Sequence, residues 1–459
     1  MNKIPNALLI VLVLLTTSPM GFAQAPEAQD AATDSSYTRG KKALGTRDGE
    51  TAITEFSQCL ITQPKNVECH WELGWAFFLT HDYEKAQSAW RAVKRMTPKR
   101  PGLAKILNTI NEHVAIITPA HALRAASPAS FVEVDEQPHT LIKIRAVGDT
   151  MLGTDFPRNM LPANNTSPLE KITPLIKGAD ITFANYEGTL CDGGVSVKCK
   201  TQNNCFAFRS PRKFAALVKD AGFDVISLAN NHIFDFGDEC RDQTEKTLDD
   251  LGIAWSGRQG TVARFERNAV PFSFIAFHSA RHTNTTLDIE TAQQMIAAEK
   301  ILGNRVIVSF HGGAEGLQAL HTPSKAELFM GENRGDVRRF AHAVVDAGAD
   351  IVLGSGPHVV RGMEVYKDRL IAYSLGNFAT YRAFNIWGFN GIGLILEADM
   401  DDTGRFVSGK IISTRQTEFG VPVLDEKMIA VDVLRLLSKQ DFPNSGVMIA
   451  QNGSFQKKP

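Results

Sequence analysis

Nothing in the body of this 459-residue chain is a run long and apolar enough to span a bilayer. Neither sign of charge is in excess. The 49 Lys+Arg face 50 Asp+Glu for a net charge of −1, which removes bulk charge as an argument for nucleic acid or an anionic membrane as a partner. The six cysteines form no paired CxxC motifs, the spacing a structural zinc site would favour. No G-x-S-x-G elbow follows an apolar run, so Ser/His/Asp catalysis has no support. Low-complexity sequence is also missing: 43% hydrophobic and 22% charged residues are ordinary globular composition. What remains is a chain with material for about two or three domains.

The N-terminus reads as a targeting segment. Lys3 precedes the apolar run Ala7 to Leu15, and Gly21 and Ala23 occupy the positions a signal peptidase reads. The expectation is a signal peptide over residues 1–23 and an exported protein, periplasmic or secreted, with no transmembrane span after cleavage. Export favours disulfides for an even number of cysteines. Cys59 and Cys69 are expected to pair locally. Cys191, Cys199, Cys205 and Cys240 crowd around one insertion, in a pairing the sequence leaves open.

Residues 33–116 contain a repeat. Gly40 and Gly74, Ala52 and Ala86, Phe56 and Trp90, and Pro64 and Pro98 are each 34 apart. Small residues at a helix crossing, an aromatic beside them and a terminating Pro suit a helix–turn–helix stack similar to the tetratricopeptide repeat. Such a module is a candidate for docking a protein partner. Residues 117–139, rich in Ala, Pro and Ser, read as a linker. Residues 441–459 read as a C-terminal tail that frays at its end.

Over residues 140–440 the pattern is strand, polar turn, helix, which places the chain in the α/β class. Apolar runs end in Asp149, in Asn185 and Glu187, in Asn231 and His232, in His311 and in His358. Strand ends in open α/β sheets meet at one rim, where ligands sit. Carboxylates, an amide oxygen and imidazoles delivered to one rim suit a divalent metal such as Zn, Mn or Fe. Asp149, Glu187, Asn231, His311 and His358 are therefore the candidate ligands. Asp235, three residues after His232, is placed to orient that imidazole. Arg209, before a helix beginning near Pro211, is a candidate partner for a phosphate or carboxylate. Glu315 is placed to extend the metal shell or to face water. Asn377 ends another strand, either returning to the rim or serving only as a turn residue. The insertion Leu190–Cys205 reads as a stapled loop near the rim.

The ordered blocks GDTMLG (148–153), NYEG (185–188), ANNHIFDFG (229–237), FHGGAEG (310–316), PHV (357–359) and YSLGNF (373–378) resemble the CapA family of poly-γ-glutamate capsule synthesis proteins, over about residues 141–440. That family looks like a branch of the calcineurin-like metallophosphoesterases. The resemblance implies a four-layer α-β-β-α sandwich following the small all-α module. It implies one or two divalent ions, with Asp149 opening the first shell and Glu187 (or Asn185) in the bridging place. Asn231, His311 and His358 complete the ligands, and His232 is the proton donor facing a phosphate. Asn185, Arg209 and Asn377 are then substrate-side residues. The implied substrate is a phosphoester or an anionic polymer. Met151 and Ser355 or Gly356 stand where the wider superfamily has histidines, which puts weaker metal binding and a non-catalytic accessory role beside the hydrolase reading.

Overall fold

The computed structural model describes residues 35–131, 141–199, 205–417 and 419–458. The expected signal peptide lies outside them. Five helices come first: α1 (Ser36–Gly45), α2 (Gly49–Thr62), α3 (Val67–Leu79), α4 (Tyr83–Met96) and α5 (Leu103–Ala125). Asp48 and Asp82 cap α2 and α4 through Thr51 N and Lys85 N. The glycines of the repeat are contact points. A Cβ at Gly40 would lie 2.7 Å from the Phe56 ring, and one at Gly74 would enter the Trp90 indole. The Cys59–Cys69 disulfide joins α2 to α3.

Residues 117–125, expected in the linker, belong to α5. Ile117 and Ala120 continue the buried stripe of Leu103, Leu107 and Ile110, so burial on one face outweighs Pro119. Residues 132–139 of that expected linker lie outside the described residues. The expected tail is also ordered. Strands Val447–Ile449 and Ser454–Lys457 form a hairpin on a sheet edge, and Phe455 stacks on Phe406 at 5.2 Å.

Two sheets carry the rest. The first runs, in spatial order, Val447–Ile449, Ser454–Lys457, Phe406–Thr417, Ile392–Met400, Ile142–Met151, Ile181–Tyr186, Val225–Ser227 and Ala254–Ser256; Asn377–Thr380 pairs in parallel with the end of Ile142–Met151. The second runs Met363–Tyr366, Arg369–Ala372, Ile351–Ser355, Arg305–His311, Val270–His278 and Ala263–Arg267. Period-2 alternation decides the layers. Ile144, Ala146, Ile181 and Phe183 of the first sheet meet Phe272, Phe274, Ala276, Ile307 and Leu353 of the second. The alternate residues Val147, Ala184 and Ile226 face outward toward α6 (Thr173–Ile176), α7 (Ala215–Asp220) and α8 (Gly237–Asp250). Val306, Val308 and Val352 face α9 (Ile289–Ile301) and α10 (Val337–Asp346). The result is the α-β-β-α sandwich.

A last helix, α11 (Ile429–Asp441), packs against α5. The helical module meets the sandwich through rings. Trp387 lies 6.1 Å from Trp75, and Phe389 lies 4.9 Å from His113 and 5.1 Å from Tyr83. Among the described residues no helix is long and apolar enough to cross a membrane.

Candidate metal centre

The site forms where strands of both sheets end between the two layers. Asp149 lies at a bulge within its strand and sits opposite Asn185 and Asn377. Its N–H bonds to the Gly376 carbonyl at 2.9 Å. A Cβ on the preceding Gly148 would run into that carbonyl, so this close approach requires glycine. His311 ends the adjacent strand of the second sheet, with Ser355 and His278 as lateral neighbours. His358 follows the next strand and is held at φ 57°, where few side chains rest.

The donors converge on Glu187. Its Oε1 lies 3.8 Å from His311 Nε2, 3.8 Å from His358 Nε2 and 3.9 Å from His232 Nε2. These separations are too long for hydrogen bonds. Both Glu187 oxygens, His311 Nε2 and Asn231 Oδ1 are buried without a hydrogen-bond partner. Ligand atoms of Asp149, Glu187 and His358 lie within 4.8 Å of one another. Buried carboxylate and imidazole atoms left unpaired are costly unless something satisfies them, and this donor set fits a divalent cation.

Supporting bonds fix the donors. Asn185 Nδ2 donates to Asp149 Oδ1 at 2.8 Å and sits 3.2 Å from His311 Nδ1. His358 Nδ1 lies 3.0 Å from Asp149 Oδ2 and 2.9 Å from Asn377 Oδ1. His232 Nδ1 lies 2.7 Å from Asp235 Oδ2, which also accepts from Phe208 N. Burial, then the Asp149 charge, raises the Glu187 carboxyl well above its usual range. Burial opposes a charged His358, but Glu187, Asp149 and Glu315 outweigh it and raise the imidazole to about 10. Burial lowers His232 to about 4 against the pull of Asp235. Burial, then the imidazoles of His278 and His358 and the Arg334 charge, lowers His311 well below its usual value.

The structure therefore brings together Asp149, Asn185, Glu187, His232, Asp235, His311, His358 and Asn377, beside Asn231. Glu315 Oε2 reaches 3.6 Å from His358 Nε2. Arg209 is not part of this group. Its guanidinium bonds Asp155 at 2.7 Å and the Gly194 carbonyl at 2.8 Å, and lies over Phe236. It pins the insertion loop and does not offer a free cation to a substrate. The Met151 sulfur accepts the Gly153 N–H at 3.1 Å.

Sequence reasoning missed three neighbours. His278 ends the buried strand Val270–His278 and contacts the His311 carbonyl at 2.7 Å; the apolar run ending in a histidine was its signal. Asn230 bonds the Tyr186 carbonyl at 2.8 Å and accepts from His232 N. Lys198, in the insertion, had no signal. The cysteine pairing left open is Cys191–Cys240 and Cys199–Cys205.

Residues 143–382, more than half of the chain, match the family described as bacterial capsule synthesis protein PGA_cap. The PGA biosynthesis protein CapA of Bacillus subtilis (strain 168) is 26% identical over 290 residues, covering 58% of this chain and 72% of that protein. The capsule biosynthesis protein CapA of Bacillus anthracis is 26% identical over 307 residues, covering 62% and 70%. Among solved structures, a 5'-nucleotidase precursor from Thermus thermophilus aligns at 13% identity and a TM-score of 0.35, over 66% of this chain and 59% of that one. With its blocks, its sandwich and the family match in agreement, the chain belongs to the PGA_cap family of bacterial capsule synthesis proteins.

Proposed function

We propose that this protein acts outside the cytoplasm in the making of a capsule or related acidic exopolymer, through a metal-dependent hydrolase site that cleaves a phosphoester. The observation that carries the reading is the convergence of His232, His311 and His358 on one unpaired oxygen of Glu187. Asp149, Glu187, Asn231, His311 and His358 would hold one or two ions of Zn, Mn or Fe. A bound divalent ion supplies Lewis acidity and neutralises charge developing on phosphoryl oxygens. The chain's own groups do the rest. Asp235 fixes the His232 ring, so that Nε2 faces the cluster and a proton can pass between it and the leaving alcohol. Phe208 and Phe384, 4.9 Å apart, flank His232 and His358 and limit water on that side. The family membership and the disulfides support the capsule-related, exported setting.

Met151, a thioether where the resemblance expects an imidazole, favours a second reading, in which the site binds an acidic polymer without cleaving it and the helical module docks a protein partner. One experiment separates the two. Metal content and p-nitrophenyl phosphate turnover are measured on the mature protein and on Glu187→Ala and His311→Ala. Bound metal with turnover that both variants abolish supports the hydrolase. Metal without turnover on any phosphoester supports the binding reading. A protein that takes up no Mn, Fe or Zn overturns the metal centre.

A further inference from the structure

Two cations flank the cluster, one carried by each half of the sandwich. Lys198 sits in the loop held by Cys191–Cys240 and Cys199–Cys205. Its Nζ donates to the Asn231 carbonyl at 3.0 Å and lies 3.2 Å from His232 Nδ1 and 3.1 Å from Asp235 Oδ1. Its side chain keeps 36% of its surface exposed, so the ammonium stands at the boundary between cluster and solvent.

Arg334 follows the short strand Glu332–Asn333 on the other side. Its carbonyl accepts the Gly313 N–H at 3.0 Å, which ties it to the turn after His311. The residue is 4% exposed. One nitrogen, Nη2, lies 3.3 Å from Glu315 Oε1, and the other oxygen of Glu315 faces His358. Nη1 and Nε are buried without a hydrogen-bond acceptor. The solvated Glu332 carboxylate comes within 3.1 Å of Nε but is out of line for a bond. A buried guanidinium with unmet donors is an expensive arrangement; Nη1 and Nε lie on opposite edges of the group, so an oxyanion is accepted at Nη1, on the edge away from Glu332.

We propose that Arg334 and Lys198 form a two-sided clamp for an oxyanion group, phosphate or carboxylate, presented to the Glu187 cluster. Arg334 supplies a fixed, buried donor at Nη1, and Lys198 supplies a second charge at the solvent boundary. The clamp deepens the functional reading above by naming the substrate's chemical class, and rests on that site, though not on turnover. A phosphoester and a γ-glutamyl polymer share this chemistry.

The test is calorimetric titration of the mature, metal-loaded protein with inorganic phosphate and, separately, with a γ-linked glutamate oligomer. Wild type is compared with Arg334→Gln, Arg334→Lys and Lys198→Ala, and bound metal per chain is read for each. The expected result is binding of at least one probe, weakened about tenfold by Arg334→Gln and by Lys198→Ala, with metal content unchanged. Arg334→Lys keeps the charge but loses the planar group that presents Nη1 while Nη2 holds Glu315, and is expected to fall between wild type and Gln. Phosphate binding alone assigns the clamp to a phosphoester, and oligomer binding alone to an acidic polymer. Wild-type affinity in both Arg334→Gln and Lys198→Ala, or no binding of either probe by wild type, overturns the clamp. Failure of the metal centre shows separately, as absence of metal in wild type.

Discussion

The rim and the junction with the helical module both bury histidine, and their surroundings give it opposite characters. At the rim His358 is ringed by Asp149, Glu187 and Glu315 and is raised to about 10. At the junction His113 packs between Phe78, Tyr83 and Phe389, at 5.0, 4.8 and 4.9 Å, and burial lowers it to about 4. His81 is lowered to about 3, by burial and then by Arg415 and Lys427. The two regions are joined by one segment. Phe384 lies 5.1 Å from His358, while Trp387 and Phe389 reach the helices. Burial alone therefore does not make a ligand. What distinguishes the rim is buried negative charge that no hydrogen bond satisfies. The junction packs ring on ring, and the atoms it leaves unpaired, His81 Nδ1 and Tyr83 Oη, belong to neutral groups.

The largest expected effect comes from removing the charge that defines the rim. Glu187→Gln is expected to abolish metal retention through dialysis, read as metal per chain. In wild type, metal at a hundred times its Kd should raise unfolding stability by ~2.7 kcal/mol; in the variant the gain should vanish. Without metal the order reverses. Glu187→Gln relieves repulsion from Asp149 and should unfold at higher denaturant than wild type. A variant that still gains stability from metal would remove Glu187 from the centre.

The matching change at the junction acts through packing. Phe389 is 1% exposed, and Phe389→Ala should cost about 3–4 kcal/mol by urea unfolding, with metal content unaffected. Loss of metal in that variant would show that the joining segment, and not the rim alone, fixes His358.

The pH dependence sharpens the contrast. His81 and His113 have folded values below their ordinary 6.5. The unfolded chain therefore takes up protons first as pH falls below about 6.5. Stability should drop from there toward pH 4, by at most ~1.4 kcal/mol per pH unit for each histidine. His358 in the metal-free protein has a raised value. Its contribution is fully present below 6.5 and is lost as pH rises through about 10. His113→Gln should flatten the acid limb alone, followed by thermal unfolding at a series of pH values.

The rim was legible in the sequence because strand ends announce themselves. An apolar run stopping at Asp149, His311 or His358 carries its meaning locally. The pairing of sheet edges was not legible in the same way. The hairpin at Val447–Lys457 is too short to show a period of its own and is stabilised by pairing with Phe406–Thr417, more than forty residues upstream in its register. Alpha-helical continuation through Pro119 was hidden for a similar reason, since the stripe that overrides it is decided by α11. Arg209 misled because a cation beside polar turns looks free until its partners Asp155 and Gly194, distant or featureless in sequence, are in place. Lys198 reaches His232 only because the disulfides fold its loop back.

The smallest expected effect tests whether charge at the junction matters as it does at the rim. Arg124 of α5 lies 3.3 Å from Asp432 of α11 and donates to the Lys427 carbonyl at 3.2 Å. Its side chain is 34% exposed, so solvent screens the pair. Asp432 is fully buried, but Arg435 already holds it at 2.8 Å. Arg124→Ala should therefore change stability by only about 0.5–1 kcal/mol in urea unfolding. Asp432→Ala is the counterpart, because it leaves the buried Arg435 with the Ile449 and Ala450 carbonyls but no carboxylate, and should cost about 3 kcal/mol or more. Equal costs for the two would mean that the exposed arginine holds the junction together. The expected gap would mean that here, unlike at the rim, each buried charge already has its partner.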